Sequence, residues 1–315
     1  MEKVRKTVTV FTGVFNEVET VREVYEKIRD VFEACKDRYD YEHLFLDNCS
    51  TDGTLAILRE LAARDRRVKV LSYSKNFGPV KTEMMGYRHA TGDAVISYEA
   101  NLKDPPELIP VFLQKWEEGF DVVYGVRKKT GDTFVMGLMR KLYYRIVAGV
   151  SSEDLPADAG SFRLVDRKVV NELVELDDYK PYVRGLITSI GFKQTGIPYE
   201  RRPRPRGRSK SRMGYLVDFA INSMISYSIL PMRICTFLGL GIAAISFLMC
   251  LVYIILKFSV WRAQIPAVAG LIVLFLLFSG IQLVFLGIIG EYVGAIHSQV
   301  RRKPYVVIRE KINMD

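Results

Sequence analysis

Two long uncharged segments near the C-terminus constrain this sequence more than any other feature. Residues 234–256 and 265–290 contain 23 and 26 consecutive residues without Asp, Glu, Lys or Arg. Because about 20 apolar residues are enough for a helix to cross a bilayer, we predict a hairpin of two transmembrane helices within residues 233–292. The alternative is a pair of long helices buried in a soluble core, for which these lengths are unusual.

Basic residues flank both uncharged segments. Residues 201–212 hold seven Arg or Lys and no acid, and a basic triplet follows at 301–303. Lys and Arg are enriched on the cytoplasmic side of membrane spans. The pattern therefore predicts an integral membrane protein with residues 1–212 in the cytoplasm and a cytoplasmic C-terminal tail over 293–315.

The segment between the basic residues and the first uncharged run is apolar with scattered polar positions. It covers residues 213–230. Its place beside a predicted span favours an amphipathic helix that lies on the membrane surface over 213–232. A helix that caps the soluble domain is the alternative.

The first hundred residues alternate between strand-like and helix-like segments with short connections. The predicted strands are 7–15, 42–46, 68–73 and 94–98, with helices between them. This alternation predicts a Rossmann-like α/β domain with a mainly parallel sheet covered by helices on both faces. Ligands of such sheets bind at the carboxyl ends of the strands. Polar residues follow three of the predicted strands: Asn16, Glu17, Asp47, Asn48, Glu99 and Asn101.

These polar residues suit a phosphorylated ligand. A carboxylate such as Asp47 at a strand end can accept a hydrogen bond from a nucleotide base. Glu99 and Asn101 are one residue apart, so in an extended segment they face the same ligand, and their oxygens suit Mg²⁺ or Mn²⁺ beside phosphates. The basic segment 201–212 suits a phosphate or diphosphate, with an anchor for anionic lipid as the alternative.

Two other site classes are disfavoured. The four cysteines form no Cys-x-x-Cys pair and have no His at metal-ligand spacing, so no zinc site is expected. The net charge of +9 could attract nucleic acid, but the basic segment lacks the stacking aromatic residues of nucleic-acid-binding domains and adjoins a predicted span.

Eight sequence pieces occur together in a characteristic order between about residues 7 and 310. They are FTGVFNEVE, FLDNCSTDGT, VLSYSKNFG, ATGDAVISYEANLKDPPELIP, KWEEGFDVVYGVR, DAGSFRLVDRKVV, RGLITSIGF and LGIIGEYVGAIHSQVRRKP. In these pieces the chain resembles the polyisoprenyl-phosphate glycosyltransferases of glycosyltransferase family two. The resemblance implies a GT-A fold and inverting transfer of a sugar from a nucleotide donor, usually a UDP-sugar. The acceptor would be undecaprenyl or dolichyl phosphate in a bacterial or archaeal plasma membrane.

The resemblance also implies roles for individual residues. Those matching donor-binding positions are Glu17, Asp47, Lys75, Glu99 and Asn101. By this match Asp158 and Arg163 are expected to take part in the chemistry, and Lys103 is added to them because it replaces the family's Gln beside the phosphates. Those matching the loop that meets the acceptor and donor phosphates are Arg202, Arg208, Ser209 and Lys210. For Asp158 and Arg163, a structural ion pair is the alternative to a catalytic role.

The chain departs from the family pattern where a metal ion is implied. Relatives usually read Asp-Ala-Asp-Leu-Gln, whereas this chain reads Glu99-Ala100-Asn101-Leu102-Lys103. The family implies Mg²⁺ or Mn²⁺ at Glu99 and Asn101, but an amide is a weaker ligand than a carboxylate and a nearby ammonium repels a cation. We therefore expect weak or absent metal dependence, with Lys103 as a partial substitute for the ion. In addition, Ser161 stands where many relatives have Asp.

Two other functions remain open at this point. The altered metal motif is compatible with a non-catalytic relative that binds nucleotide or lipid and acts through partners. A transferase that elongates a saccharide is less favoured, because the sequence has no Gln-x-x-Arg-Trp motif. The sequence leaves the sugar, the lipid length and a homo-oligomeric state undecided.

Overall fold

The computed structural model describes residues 5–127, 159–176, 178, 179, 181–202, 267–301 and 304–314, with eight more residues between 237 and 248. The chain divides into two compact units. The first comprises Met1–Arg212 and Lys303–Asp315, and the second comprises Met213–Arg302.

The first unit is built on a sheet of eight described strands. The strands are β1 (Lys6–Val14), β2 (Tyr39–Asp47), β3 (Val68–Tyr73), β4 (Ala94–Ser97), β5 (Val122–Arg127), β6 (Ala159–Asp166), β7 (Gln194–Tyr199) and β8 (Ile308–Ile312). Their order across the sheet is β7-β5-β6-β4-β1-β2-β3-β8. Neighbours pair in parallel from β4 through β1 and β2 to β3 and between β5 and β7, while β6 and β8 pair antiparallel with their neighbours. The predicted α/β domain with a mainly parallel sheet is confirmed.

Helices cover both faces of the sheet. Among the described residues of the first unit, the α-helices are α1 (Val21–Glu33), α2 (Thr54–Arg64), α3 (Pro79–His89), α4 (Ile109–Glu117), α5 (Arg167–Glu175) and α6 (Val183–Ser189). Successive strand residues point to opposite faces, so Val95 packs in the core beneath α3 and α5, whereas Ile96 packs in the core beneath α1, α2 and α4. Helix α1 buries Val21, Val24 and Ile28 on one stripe, as the spacing of an amphipathic helix requires.

The C-terminal residues form part of the sheet. Strand β8 pairs antiparallel with β3, and Arg59 of α2 donates to both carboxylate oxygens of Glu310, with N–O distances of 3.1 and 2.6 Å. The sequence predicted a cytoplasmic C-terminal tail over 293–315. In the structure, residues 293–300 belong to a helix and Ile308–Ile312 closes the exposed edge of β3, whose backbone groups would otherwise lack partners.

The second unit contains one long helix among the described residues. Helix α7 spans Ala267–Val300, and within it Phe278–His297 is long and apolar enough to cross a membrane, with none of that window buried. The first uncharged segment contributes eight described residues, all helical. The predicted surface helix over 213–232 lies outside the described residues.

Candidate functional site

Three strained residues mark the carboxyl ends of neighbouring strands. Asn16, Cys49 and Leu102 have φ angles of 54°, 64° and 54°, and they lie in the loops that follow β1, β2 and β4. Left-handed backbone is uncommon outside glycine, and such strain gathers at functional sites. Because β4, β1 and β2 are adjacent in the sheet, the strain identifies the same edge at which the sequence predicted a ligand.

The loops after β1 and β2 are joined by hydrogen bonds to backbone N–H groups. Asn16 N–H donates to Ser50 Oγ at 2.9 Å, Glu17 N–H donates to Thr54 Oγ1 at 2.9 Å, and Thr51 N–H donates to Asn16 Oδ1 at 2.7 Å. The Ser-Thr-Asp-Gly-Thr segment therefore does more than start helix α2. It fixes the loop that carries Glu17, whose carboxylate accepts a hydrogen bond from Thr20 Oγ1 at 3.2 Å.

Asp47, the last residue of β2, stabilises the loop after β2 through hydrogen bonds of its carboxylate. It has no exposed surface. Its Oδ1 accepts from Ser50 N–H at 3.0 Å, and its Oδ2 accepts from Ser72 Oγ at 2.9 Å. Lys75 lies exposed in the loop after β3, with Nζ 5.1 Å from the centre of the Phe77 ring. The structure thus brings the predicted donor residues of β2 and β3 to one end of the sheet, with Asp47 buried and Lys75 at the surface.

Asn101 forms a tight turn after β4. Its Nδ2 donates to Glu99 Oε2 at 2.5 Å, and its Oδ1 accepts from Lys103 N–H at 3.0 Å. Leu102 occupies the left-handed position of this turn. The segment is therefore not extended, so the strand-like alternation expected to turn Glu99 and Asn101 towards one ligand does not hold. The Asn side chain favours this turn because its amide can bond to backbone two residues on.

Two arginines from distant parts of the chain surround Glu99. Arg201 Nη2 donates to Glu99 Oε2 at 3.0 Å and its Nε donates to Asp104 Oδ1 at 3.2 Å, while Arg127 Nη2 lies 4.0 Å from Glu99 Oε1. Tyr199 Oη also donates to Asp104 Oδ1. Burial by itself would raise the pKa of Glu99. Attraction to Arg201 and Arg127, together with hydrogen bonds to Asn101 and Ser161, outweighs burial and lowers that pKa below its usual value.

A second pair of arginines lies inside the domain next to this cluster. Arg163 is 3% exposed, lies opposite Ser97 of β4 in the sheet, and donates from Nη2 to the Gly160 carbonyl at 3.0 Å. Arg184 of α6 donates to Ser161 Oγ at 3.4 Å, and burial lowers its pKa. Burial also raises the pKa of Glu83, against the attraction of both arginines.

The first residues of the basic segment return to the loop after β4. Arg202 N–H donates to the Lys103 carbonyl at 2.8 Å, and Arg202 Nη1 lies 3.2 Å from Glu107 Oε1 at the surface. Four predicted site residues lie outside the described residues: Asp158, Arg208, Ser209 and Lys210. Arg127 and Arg201 were not among the predicted site residues, although Arg201 opens the basic segment 201–212.

The strand ends thus combine one side organised by hydrogen bonds to backbone and one side rich in guanidinium groups. Such an arrangement can hold a polar ring on the first side and neutralise phosphate charge on the second. Within the described part of the chain, no group of three or more His, Cys, Asp or Glu side chains is placed to hold a metal ion. Glu99 and Asn101 are adjacent, but their facing atoms already bond to N–H groups.

Comparison with known proteins gives a consistent result. The profile of the family described as glycosyl transferase family 2 matches residues 9–174. The chain is 35% identical to the uncharacterized glycosyltransferase YkcC of Bacillus subtilis, covering 98% of this chain and 94% of that protein. It is 31% identical to the SfII prophage-derived bactoprenol glucosyl transferase of Shigella flexneri, covering 96% and 97%.

A solved structure shares the fold. Glucosyl-3-phosphoglycerate synthase from Mycobacterium tuberculosis, in complex with Mn²⁺, UDP and glucosyl-3-phosphoglycerate, is similar with a TM-score of 0.51 at 20% identity, covering 71% of this chain and 80% of that one. The sheet with its GT-A-like order, the strand-end site and the family match over more than half of the chain agree. This chain belongs to glycosyl transferase family 2 and is a glycosyltransferase.

Proposed function

We propose that this enzyme transfers a sugar, with inversion, from a UDP-sugar to a polyisoprenyl phosphate at the cytoplasmic face of a membrane. The observation that carries the proposal is a set of four guanidinium groups: Arg127, Arg163 and Arg201 near the strand ends, and Arg184 of α6, which donates to Ser161 of β6. This charge suits two anions in one site, the diphosphate of a donor and the phosphate of an acceptor. Relatives named bactoprenol glucosyl transferase, of nearly the same length, support the lipid acceptor.

The chemistry asked of the protein is mainly alignment and charge neutralisation. A lipid phosphate is already an anion near neutral pH, so it needs little help from a general base to attack the anomeric carbon. The protein must place that oxygen in line with the leaving diphosphate and stabilise the charge that develops there. Asp158 and Arg163 are proposed to act at the acceptor, and Arg202, Arg208, Ser209 and Lys210 are proposed to hold phosphate.

The donor half is proposed to rest on the loops after β1, β2 and β3. Glu17 and Lys75 have surface that a nucleotide can reach, whereas Asp47 acts by holding Ser50 and Ser72 in place. Because these loops are already joined by short hydrogen bonds, binding the nucleotide costs little ordering of the backbone.

The membrane part of the proposal rests on the two uncharged segments and their basic flanks. Helix α7 contains a window suited to a bilayer, and we propose that the segment 234–256 forms a second span. Both termini would then be cytoplasmic. A topology reporter fused after Asp315 tests this: cytoplasmic activity is expected, and activity only outside the cytoplasm contradicts the proposed orientation.

The decisive experiment uses the purified full-length protein in detergent. It is incubated with UDP-, GDP- or dTDP-sugars and polyprenyl phosphate, and lipid products are identified by mass spectrometry. One sugar linked to polyprenyl phosphate is expected, with a UDP-sugar as donor. A lengthened glycan would indicate the elongating transferase instead, and nucleotide binding without turnover would indicate the non-catalytic relative.

A further inference from the structure

The carboxylate at the end of β4 is surrounded by N–H donors. Glu99 Oε2 accepts from Arg201 Nη2 at 3.0 Å and from Asn101 Nδ2 at 2.5 Å, and Glu99 Oε1 lies 4.0 Å from Arg127 Nη2. Asp104 is 1% exposed, and its Oδ1 accepts a hydrogen bond from Arg201 Nε at 3.2 Å. Among the described residues, the carboxylate oxygens of this loop therefore already face N–H groups, apart from Asp104 Oδ2, which is buried without a hydrogen-bond partner.

The charges around this loop balance without a metal ion. Glu99 and Asp104 contribute two negative charges, and Arg127 and Arg201 contribute two positive charges. Lys103 adds a third positive charge two residues from Asn101. A divalent cation placed here would be repelled by these three positive charges. It would also have to displace the N–H groups bonded to Glu99 and Asp104, because a hard cation requires several oxygen ligands facing it.

The Asn101 side chain adds a geometric obstacle. Its Oδ1 is held by Lys103 N–H at 3.0 Å, and its Nδ2 points at Glu99. An Asp at this position would place two carboxylates side by side, and their repulsion would favour binding of a cation or a proton. The Asn101 amide avoids this repulsion, because its NH₂ group donates a hydrogen bond to Glu99.

We infer that the Glu99 site of this chain takes the guanidinium of Arg201 in place of a divalent cation, and that Arg201 and Lys103 hold the diphosphate of the donor. The inference rests on the proposed function for the identity of the ligand. Two of the five N–H groups of Arg201 bond to Glu99 and Asp104. The other three make no hydrogen bond to the described residues. The Arg201 guanidinium can therefore bond to Glu99, Asp104 and a phosphate oxygen at the same time.

The test has two separate titrations on the detergent-solubilised full chain. The first adds Mn²⁺ alone and follows the free ion by electron paramagnetic resonance. The second measures UDP binding by calorimetry, once in EDTA and once in Mn²⁺. We expect the wild type and Glu99→Gln to give the same Mn²⁺ titration, because Glu99 does not bind the ion. The affinity of the wild type for UDP should agree within about twofold between EDTA and Mn²⁺.

Variants separate the residues that carry the effect. Arg201→Gln and Lys103→Gln should each weaken UDP binding at least about tenfold, or roughly 1.4 kcal/mol, while Arg201→Lys should retain part of the affinity. Arg38→Gln is the matched control, because it also removes a guanidinium that pairs with a glutamate, Glu117. Arg38 directly precedes the first residue of β2, whereas the site lies beyond the carboxyl ends of the strands. The triple change Asn101→Asp, Lys103→Gln and Arg201→Gln should create Mn²⁺ binding and make UDP binding depend on it.

The outcomes are distinguishable. A wild-type protein that binds Mn²⁺ through Glu99, or that loses UDP affinity tenfold in EDTA and regains it with Mn²⁺, would overturn the inference. Wild-type UDP affinity in both Arg201→Gln and Lys103→Gln would overturn the assigned residues. If UDP binds in neither buffer, the proposed UDP-sugar donor is contradicted, while the Mn²⁺ titration alone still decides whether the Glu99 site rejects the ion.

Discussion

The two sides of the strand-end site are held together by different interactions. On the β1–β2 side, loops are joined through backbone N–H groups, as between Asn16 and Ser50 or Glu17 and Thr54. On the β4–β6–β7 side, charged side chains such as Arg201 and Glu99 face each other across large sequence separations. The first side sets the shape of a pocket, and the second sets its charge. The comparison predicts that variants of the first side change stability and variants of the second side change turnover.

The largest expected effect is acid-induced loss of stability on the β1–β2 side. His43 of β2 is fully buried, stacks on Phe45 at 3.9 Å, and has Nε2 3.1 Å from Thr12 Oγ1. Burial lowers its pKa from 6.5 to about 3. Because the folded pKa lies below the unfolded one, the stability contributed by the neutral ring is present above pH 6.5 and is lost as the pH falls through 3. The total loss is on the order of 5 kcal/mol.

Denaturant unfolding of the solubilised protein across this pH range measures the effect. His43→Gln should flatten the decline between pH 6.5 and 4, whereas His297→Gln, on an exposed position of α7, should leave it unchanged. An equally steep decline in His43→Gln would assign the acid sensitivity to other groups.

The next effect concerns turnover on the charged side. Arg163→Gln removes a buried guanidinium next to the Glu99 cluster. Loss of one such preorganised donor typically costs about a hundredfold in turnover, so kcat should fall by about that factor while the unfolding midpoint changes little. A variant that unfolds early but retains the wild-type kcat would make Arg163 a structural residue.

Asp158 is expected to contribute somewhat less. Its match to the acceptor position of the family predicts that Asp158→Ala lowers turnover at least tenfold, more than about 1.4 kcal/mol of activation free energy. Steady-state rates with saturating donor and varied polyprenyl phosphate measure this, and Asp158→Asn tests whether the charge matters. Wild-type rates in both variants would remove Asp158 from the mechanism.

A smaller effect is expected from a single hydrogen bond between the loops. Ser50→Ala removes the acceptor for Asn16 N–H, which should reduce the free energy of unfolding by about 1 kcal/mol. UDP affinity should fall less than tenfold and should keep the salt dependence of the wild type, because no charge is lost. A steeper salt dependence than the wild type shows would contradict the division between the two sides.

Local patterns predicted much of the fold and part of the site. Strands β1–β4 and the helices between them follow from hydrophobic periodicity, because each is a continuous segment with its own turn signals. Strand β8 was missed because Ile308–Ile312 is a five-residue segment whose partner, β3, lies more than 230 residues earlier. Pairing over such a distance leaves no signal in a local window.

The site shows the same limit. The sequence selected Glu99 and Asn101 because both follow one strand, but it assumed an extended segment where Leu102 in fact adopts a left-handed turn. It also took Lys103 as the substitute for a cation and overlooked Arg201, which is 102 residues from Glu99 and meets it only because β7 returns to the sheet beside β5. Charge pairing between distant residues requires the topology, which single-sequence patterns do not supply.

The most direct test of the account measures the sugar-linked polyprenyl phosphate formed by the wild-type enzyme in excess EDTA and in Mn²⁺. The account predicts the same lipid product at rates within about twofold, because guanidinium and ammonium groups carry the charge of the leaving diphosphate. A product that forms only in Mn²⁺ would contradict the role given to Arg201 and Lys103. A transferred sugar that is never found on the lipid phosphate would contradict the proposed reaction itself.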